Sequence, residues 1–184
     1  MNLPNILTLT RVLLIPVFVI FIIDKYFEGA LITFAIAGMT DGMDGLIARI
    51  THQRTELGAY LDPIADKLLL SSAFITLAII EVIPSWLAVI VITRDLIILI
   101  GFLVILLTNH RPQIRPSLVS KVTTVFQISA ILLALLAAST PAFAKLFEVA
   151  IYGTALFTVL SGSYYIFVGT RFLNGKKLNG TKAP

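Results

Sequence analysis

The chain contains no cysteine. That excludes disulfide staples and any thiolate-held metal centre, and it removes the usual clue to redox compartment. Charge is the second scarcity. Only 13% of the 184 residues are Asp, Glu, Lys or Arg, about half the roughly 25% of an average soluble domain. So little charge cannot cover a globule of this size with a wetted surface. Collagen, coiled coil and disorder are excluded by the same numbers. What fills the chain is apolar: 58% of the residues, with a mean hydropathy of +0.97. Its natural solvent is a bilayer. The net charge of +4, from 14 Lys+Arg against 10 Asp+Glu, suits anionic membrane lipids and not nucleic acid.

A spanning helix needs about 20 mostly apolar residues, and the sequence holds six such segments, near 4–23, 30–50, 63–82, 86–107, 119–139 and 147–170. The breaks have physical causes: Asp24, Lys25 and Glu28; the polar run 51–56; Pro84 beside Trp86; the run 109–116 with two prolines; and Pro141. Before the first span, Asn2 to Leu9 reads as a short interfacial helix or extension. No small-residue cleavage site follows Ile23, so the first segment is not expected to be a cleaved signal. With six spans and the N-terminus inside, the inner loops carry Arg49, Arg54, Arg111, Arg115, Arg171, Lys176, Lys177 and Lys182. The outer loops carry only Lys25 and Lys145. This asymmetry predicts both termini on the cytoplasmic side of the cell's inner membrane. The expected fold is therefore an all-α integral membrane protein with six transmembrane helices, a single domain over 1–184.

Charge inside the apolar segments is the informative part. From Val122 to Ala144 and from Val149 to Thr170 there is none, while the first four spans hold Arg11, Asp41, Asp44, Asp62, Asp66, Lys67, Arg94 and Asp95. A charge near the bilayer centre costs roughly 2.5–3.5 kcal/mol or more and survives by facing a cavity or a partner. Lys67 reads equally well as a solvated headgroup-level lysine. The four aspartates do not. Asp41 and Asp44 are three apart and Asp62 and Asp66 four apart, so each pair shares a helix face. Both pairs lie within about two turns of the inner boundary on consecutive antiparallel spans. Four carboxylates in one pocket repel, and two divalent cations would cancel their charge. Oxygen-only ligation points to Mg²⁺ or Mn²⁺, with Ca²⁺ a further option. Two such ions form a clamp for displacement at phosphorus. Gly38, Gly42, Gly45, Ala48, Gly58 and Ala59 fit either close helix packing or room for a flat base or a diphosphate.

At this point the residues resemble a known family. Asp41, Asp44, Gly45, Ala48, Arg49, Gly58, Asp62 and Asp66 occupy every fixed position of the CDP-alcohol phosphotransferase signature, D-x-x-D-G-x-x-A-R-x8-G-x-x-x-D-x-x-x-D. Pro4, Asn5, Thr8 and Arg11 and the six spans extend the resemblance over most of the chain. It implies an integral membrane enzyme, a homodimer, that moves a substituted phosphate from a CDP-linked donor to an alcohol and releases CMP. It places the metals on Asp41, Asp44, Asp62 and Asp66, with Asp66 as general base. It lines the cytidine site with Gly45, Ala48 and Gly58, and puts Arg49 at the nucleotide end and Asn5 and Thr8 by the diphosphate. Asp66 lies a turn inside the membrane from Asp62, where partial burial would keep a carboxylate basic enough to take a hydroxyl proton.

The signature does not name the acceptor. Arg94 reads either as half of a self-neutralising pair with Asp95 or as a guanidinium aimed at an acceptor phosphate. Arg115 sits in a basic inner loop. Lys121 opens the fifth span beside several hydroxyls and looks like an anion site. The chain is most similar to bacterial phosphatidylglycerophosphate synthases, which implies CDP-diacylglycerol as donor and sn-glycerol 3-phosphate as acceptor. Arg94-Asp95 with Ser120-Lys121 is also similar to the CDP-using cardiolipin synthases, whose acceptor is phosphatidylglycerol. A cation transporter is the reading from another class. Transporters, however, place charge near the midplane at broken helices and inverted repeats, and this sequence has neither pattern.

Overall fold

The computed structural model describes the backbone of residues 3–51, 56–107 and 118–179, and the side chains of 8–40, 64–101 and 118–170. Within these residues every apolar segment becomes a helix: α1 (Leu3–Ile23), α2 (Phe27–Thr51), α3 (Glu56–Ile79), α4 (Ser85–Leu107), α5 (Leu118–Ser139) and α6 (Ala144–Asn179). A single 3-10 turn, Pro141–Phe143, precedes α6, and no strand occurs among the described residues. The protein is all-helical.

Three boundaries differ from the sequence reading. Asn2 to Leu9 forms no separate interfacial element, because α1 runs unbroken from Leu3. Pro4 falls in its first turn, where backbone N–H groups have no intrahelical acceptor to lose. Next, α3 starts at Glu56 and not near 63. Glu56 and Asp62 offset Leu57 and Leu61 there, which kept these turns out of a hydropathy count. Finally, α6 continues to Asn179, beyond the apolar stretch.

Around an apolar core the distribution of side chains departs from a soluble protein's. Thr8, Arg11, Thr33, Arg94, Gln127 and Ser161 are buried, while Leu13, Ile79, Val125, Tyr152 and Phe167 are more than 60% exposed. Water favours the opposite arrangement; hydrocarbon favours this one, because only internal partners can satisfy polar groups there. Two segments among the described residues, Leu118–Ser139 and Pro141–Thr170, are long and apolar enough to cross a membrane.

Packing explains the position of each helix. α1 lies against α2 and α3, α4 against α3 and α6, and α5 against α6, α2 and α3. Phe18 of α1 meets Phe34 of α2 at 5.5 Å between ring centroids. Ala30, Ala37, Ala73, Ala130 and Ala134 are buried in the core, and such small side chains let helix backbones approach. α5 and α6 are stitched by hydroxyls: Thr123 Oγ1 donates to the Phe157 carbonyl and Thr154 Oγ1 to the Phe126 carbonyl, both at 3.0 Å. The two phenylalanine rings stack at 4.6 Å. Gly153 permits this, since a Cβ there would lie 2.7 Å from the Phe126 ring.

Both short connections end a helix in the same way. Tyr26 N–H donates to the Phe21 carbonyl at 2.8 Å, and Lys25 between them has φ 57. Val82 N–H donates to the Leu77 carbonyl at 2.9 Å, with Glu81 at φ 62. This is the Schellman closure, and at the first end the Phe21–Tyr26 ring contact supplies its usual apolar clasp. A left-handed residue with a side chain carries a steric cost that glycine does not. Lys25→Gly and Glu81→Gly should therefore each stabilise the folded protein by about 0.5–1 kcal/mol. Reversible unfolding of the purified protein in detergent measures this. A loss of stability in both would mean that the side chains, not the backbone, hold these turns.

Candidate active site

The site begins with helix geometry. α2 is helical through Thr51, so Asp41 and Asp44 stand three apart on one face. α3 is helical from Glu56, so Asp62 and Asp66 stand four apart on one face. The early start of α3 is what puts Asp62 on the same helix as Asp66. The side chains of Asp41, Asp44, Asp62, Asn5, Gly45, Ala48, Arg49 and Gly58 lie outside the described residues, as does Arg115 altogether. Among the described residues there is no group of three metal-ligating side chains.

Asp66 is the aspartate whose surroundings are described. Its carboxylate is 42% exposed, and its Oδ1 accepts from Nη1 of Arg11 at 2.5 Å. The Arg11 side chain is fully buried. Thr8, three residues earlier on the same face of α1, is buried with it. Beside this pair lies a cavity of about 120 Å³. Arg11 lines it from α1, Phe34, Ala37 and Gly38 from α2, Asp66, Leu69 and Leu70 from α3, and Thr124 and Ile128 from α5. This cavity is mostly apolar, with its polar groups at Arg11, Asp66 and Thr124, and α5 forms part of its wall. The question left open for the small residues is answered at Gly38, where an added Cβ would meet nothing within 4 Å. That glycine leaves space and does not serve close packing.

A second polar cluster lies on the other side of α3. Arg94 on α4 is 3% exposed. Its Nη1 donates to Asp95 Oδ1 at 2.7 Å and its Nη2 to Ser120 Oγ at 2.6 Å. Nε and Nη2 reach Ser161 Oγ at 3.2 and 2.9 Å, and Tyr165 presents its ring 6.0 Å from Cζ. Lys67 joins the cluster, with Nζ donating to Asp95 Oδ1 at 2.6 Å. Of the two sequence readings for Arg94, the structure contains the ion pair with Asp95. Lys67 is both 42% exposed and ion-paired. Lys121 is exposed in the first turn of α5, next to Ser120.

Sequence reasoning flagged Arg11 as a costly charge but gave it no role. The signals were its position in an apolar run, three residues after Thr8, and its place in the N-terminal stretch that extends the family resemblance. That α1 packs on α3, and so brings Arg11 to a carboxylate 55 positions away, is tertiary information.

The described residues form a helical bundle with exposed apolar side chains, and two of its consecutive helices each carry a carboxylate pair. A family model described as CDP-alcohol phosphatidyltransferase matches residues 1–160, and the chain belongs to that family. These are transferases of phospholipid synthesis that use divalent cations. The chain is 32% identical over 182 residues to the CDP-diacylglycerol--glycerol-3-phosphate 3-phosphatidyltransferase of Bacillus subtilis (strain 168), covering 89% of this chain and 93% of that protein. It is 37% identical over 181 residues to the probable phosphatidylglycerophosphate synthase of Mycobacterium tuberculosis (strain ATCC 25618 / H37Rv), covering 95% and 84%. It is also 37% identical over 143 residues to the cardiolipin synthase (CMP-forming) of Homo sapiens, covering 69% of this chain. That match takes in 48% of the human protein, so the chain spans about half the length of the cardiolipin synthases it matches.

The open space at Gly38 gives a direct test of the cavity. A Cβ at Gly38 meets nothing within 4 Å, so Gly38→Leu adds volume at the wall of the cavity beside Asp66. It should leave thermal stability intact and lower CMP release by about tenfold or more, since small displacements at a reacting group are costly. Full turnover with a filled cavity would separate this space from the chemistry.

Proposed function

We propose that this chain transfers a phosphatidyl group from CDP-diacylglycerol to sn-glycerol 3-phosphate, giving phosphatidylglycerophosphate and CMP. The observation that carries the reading is the Asp66 carboxylate, held by Arg11 beside a cavity and one turn from Asp62. Similarity across most of both chains to the Bacillus and Mycobacterium proteins supports the choice of acceptor.

The donor set suits hard cations. It offers carboxylate oxygens only, two per helix on continuous backbone, and Asp66 keeps a partly exposed carboxylate. Asp41, Asp44, Asp62 and Asp66 would hold two Mg²⁺ or Mn²⁺ ions, which neutralise charge on the phosphoryl oxygens. Asp66 takes the proton of the acceptor hydroxyl as its oxygen bonds to the phosphorus that carries the diacylglycerol. The bond from that phosphorus to CMP breaks, and CMP leaves with the electron pair. Arg11 keeps the Asp66 carboxylate in place through this exchange. Asn5, Thr8, Gly45, Ala48, Arg49 and Gly58 bind the CDP end of the donor. Arg94, Arg115 and Lys121 provide the positive field for the acceptor phosphate. Because Arg94 has its donors on Asp95, Ser120 and Ser161, its part is to seat Ser120 while the neighbouring Lys121 makes the contact.

The protein works as a homodimer with six spans in the inner membrane, both termini and the site facing the cytoplasm. With no native cysteine, Thr55→Cys is a clean probe of this topology. It should react with an impermeant thiol reagent only from the inner side, and labelling of intact cells from outside would refute the arrangement.

Purified protein given CDP-diacylglycerol and either acceptor tests the reaction itself. We expect metal-dependent phosphatidylglycerophosphate, abolished by chelator or by Asp41→Asn, Asp44→Asn or Asp62→Asn. Lys121→Ala should raise the acceptor KM by about 10- to 100-fold, from roughly 1.5–3 kcal/mol per charge-assisted contact, with little change for the donor. Cardiolipin formed from phosphatidylglycerol while glycerol 3-phosphate is ignored would transfer the assignment to the activity named for the human relative. Full activity in chelator would end the metal reading.

A further inference from the structure

α3 is gripped at two consecutive residues. Asp66 takes the Arg11 guanidinium from α1, and Lys67 reaches Asp95 on α4 with Nζ 2.6 Å from Oδ1. Neighbouring residues on a helix point about 100° apart. One ion pair would let the helix swivel about that contact. Two pairs at the same height and in different directions fix its rotation.

The α4 end of the second pair is itself immobilised. Asp95 Oδ1 also accepts from Arg94 at 2.7 Å, and Arg94 is tied to Ser120 on α5 and Ser161 on α6. Charge balance alone does not require Lys67 here, because Arg94 already neutralises Asp95. Both cations converge on Oδ1, while the buried Oδ2 has no partner among the described residues. The carboxylate is therefore aimed at the junction with α3. Rotating α3 moves Asp66 and Asp62 together, since they share a face.

We infer that Lys67 is a positioning residue. Its bridge to Asp95 sets the rotation of α3 and thereby the direction of the Asp66 carboxylate. The inference rests on Asp66 being the group that takes the acceptor proton, and the test keeps the two claims apart.

Steady-state kinetics of Lys67→Met, Lys67→Gln, Lys67→Arg and Asp66→Asn, with the thermal midpoint of each, provide that test. Lys67→Met should lower kcat by about 10- to 100-fold, the scale on which small misplacements act, while the KM of donor and acceptor stay within about twofold. Lys67→Arg, which keeps a charged donor to Asp95, should recover most of the turnover. Lys67→Gln, which keeps a polar donor and serves if the methionine variant does not fold, should fall between them. An unchanged kcat in Lys67→Met or Lys67→Gln would overturn the proposal. So would a raised acceptor KM at constant kcat, which would make Lys67 a substrate contact. A loss of stability that parallels the loss of turnover, without rescue by Lys67→Arg, would also overturn it by reducing Lys67 to a structural residue. Asp66→Asn reports on the other claim: full turnover there refutes the proton-acceptor role, whatever Lys67 does.

Discussion

A guanidinium taken out of water needs a carboxylate, and the pairing of Arg11 with Asp66 is the constraint around which this molecule is arranged. Arg11 sits in an otherwise apolar stretch of α1 and is fully buried. Stranding such a charge costs several kcal/mol, about 3–5 when a fully buried pair is broken, although the 42% exposure of Asp66 returns part of that to solvent. The pair draws α1 onto α3. It also holds one oxygen of Asp66 at a fixed direction beside the cavity, and Asp62 follows because it lies one turn away on the same helix face. In the proposed reaction, stability and chemistry draw on the same contact.

The rest of the bundle follows the same logic of polar groups satisfied inside and apolar groups turned out. Arg94 is buried because Asp95, Ser120 and Ser161 receive its donors. The α5–α6 contact is held by threonine hydroxyls on carbonyls of the facing helix, a device suited to a solvent that offers no hydrogen bonds. Gln127 departs from the pattern. It is fully buried and neither amide atom has a partner among the described residues; we have no physical account of it.

The apolar segments were legible in the sequence because each is bounded by charge, proline or both, and the helices fall on them. The start of α3 was not legible, since Glu56 and Asp62 offset the apolar Leu57 and Leu61 and leave no hydropathy signal. The pairing of the aspartates was legible through spacing: three and four residues between them mean one face only on a helix, and both stretches are helical. What spacing cannot convey is which helix lies against which. Asp66 and Arg11 are 55 positions apart, Lys67 and Asp95 are 28 apart, and nothing local links them. The same limit applies to α5, whose Thr124 and Ile128 line the cavity yet look like ordinary residues of a lipid-facing span. For Arg94 the sequence offered two roles, and choosing between them required seeing where its donors go.

The most direct test of this account is a double-mutant cycle on stability, with Arg11→Met and Asp66→Asn measured singly and together by unfolding in detergent. If the pair organises the fold, Asp66→Asn takes away the carboxylate at the buried guanidinium and destabilises the protein. Adding Arg11→Met then restores stability, with a coupling of about 1–3 kcal/mol. Losses that simply add would contradict the account: Arg11 and Asp66 would be neighbours without being partners.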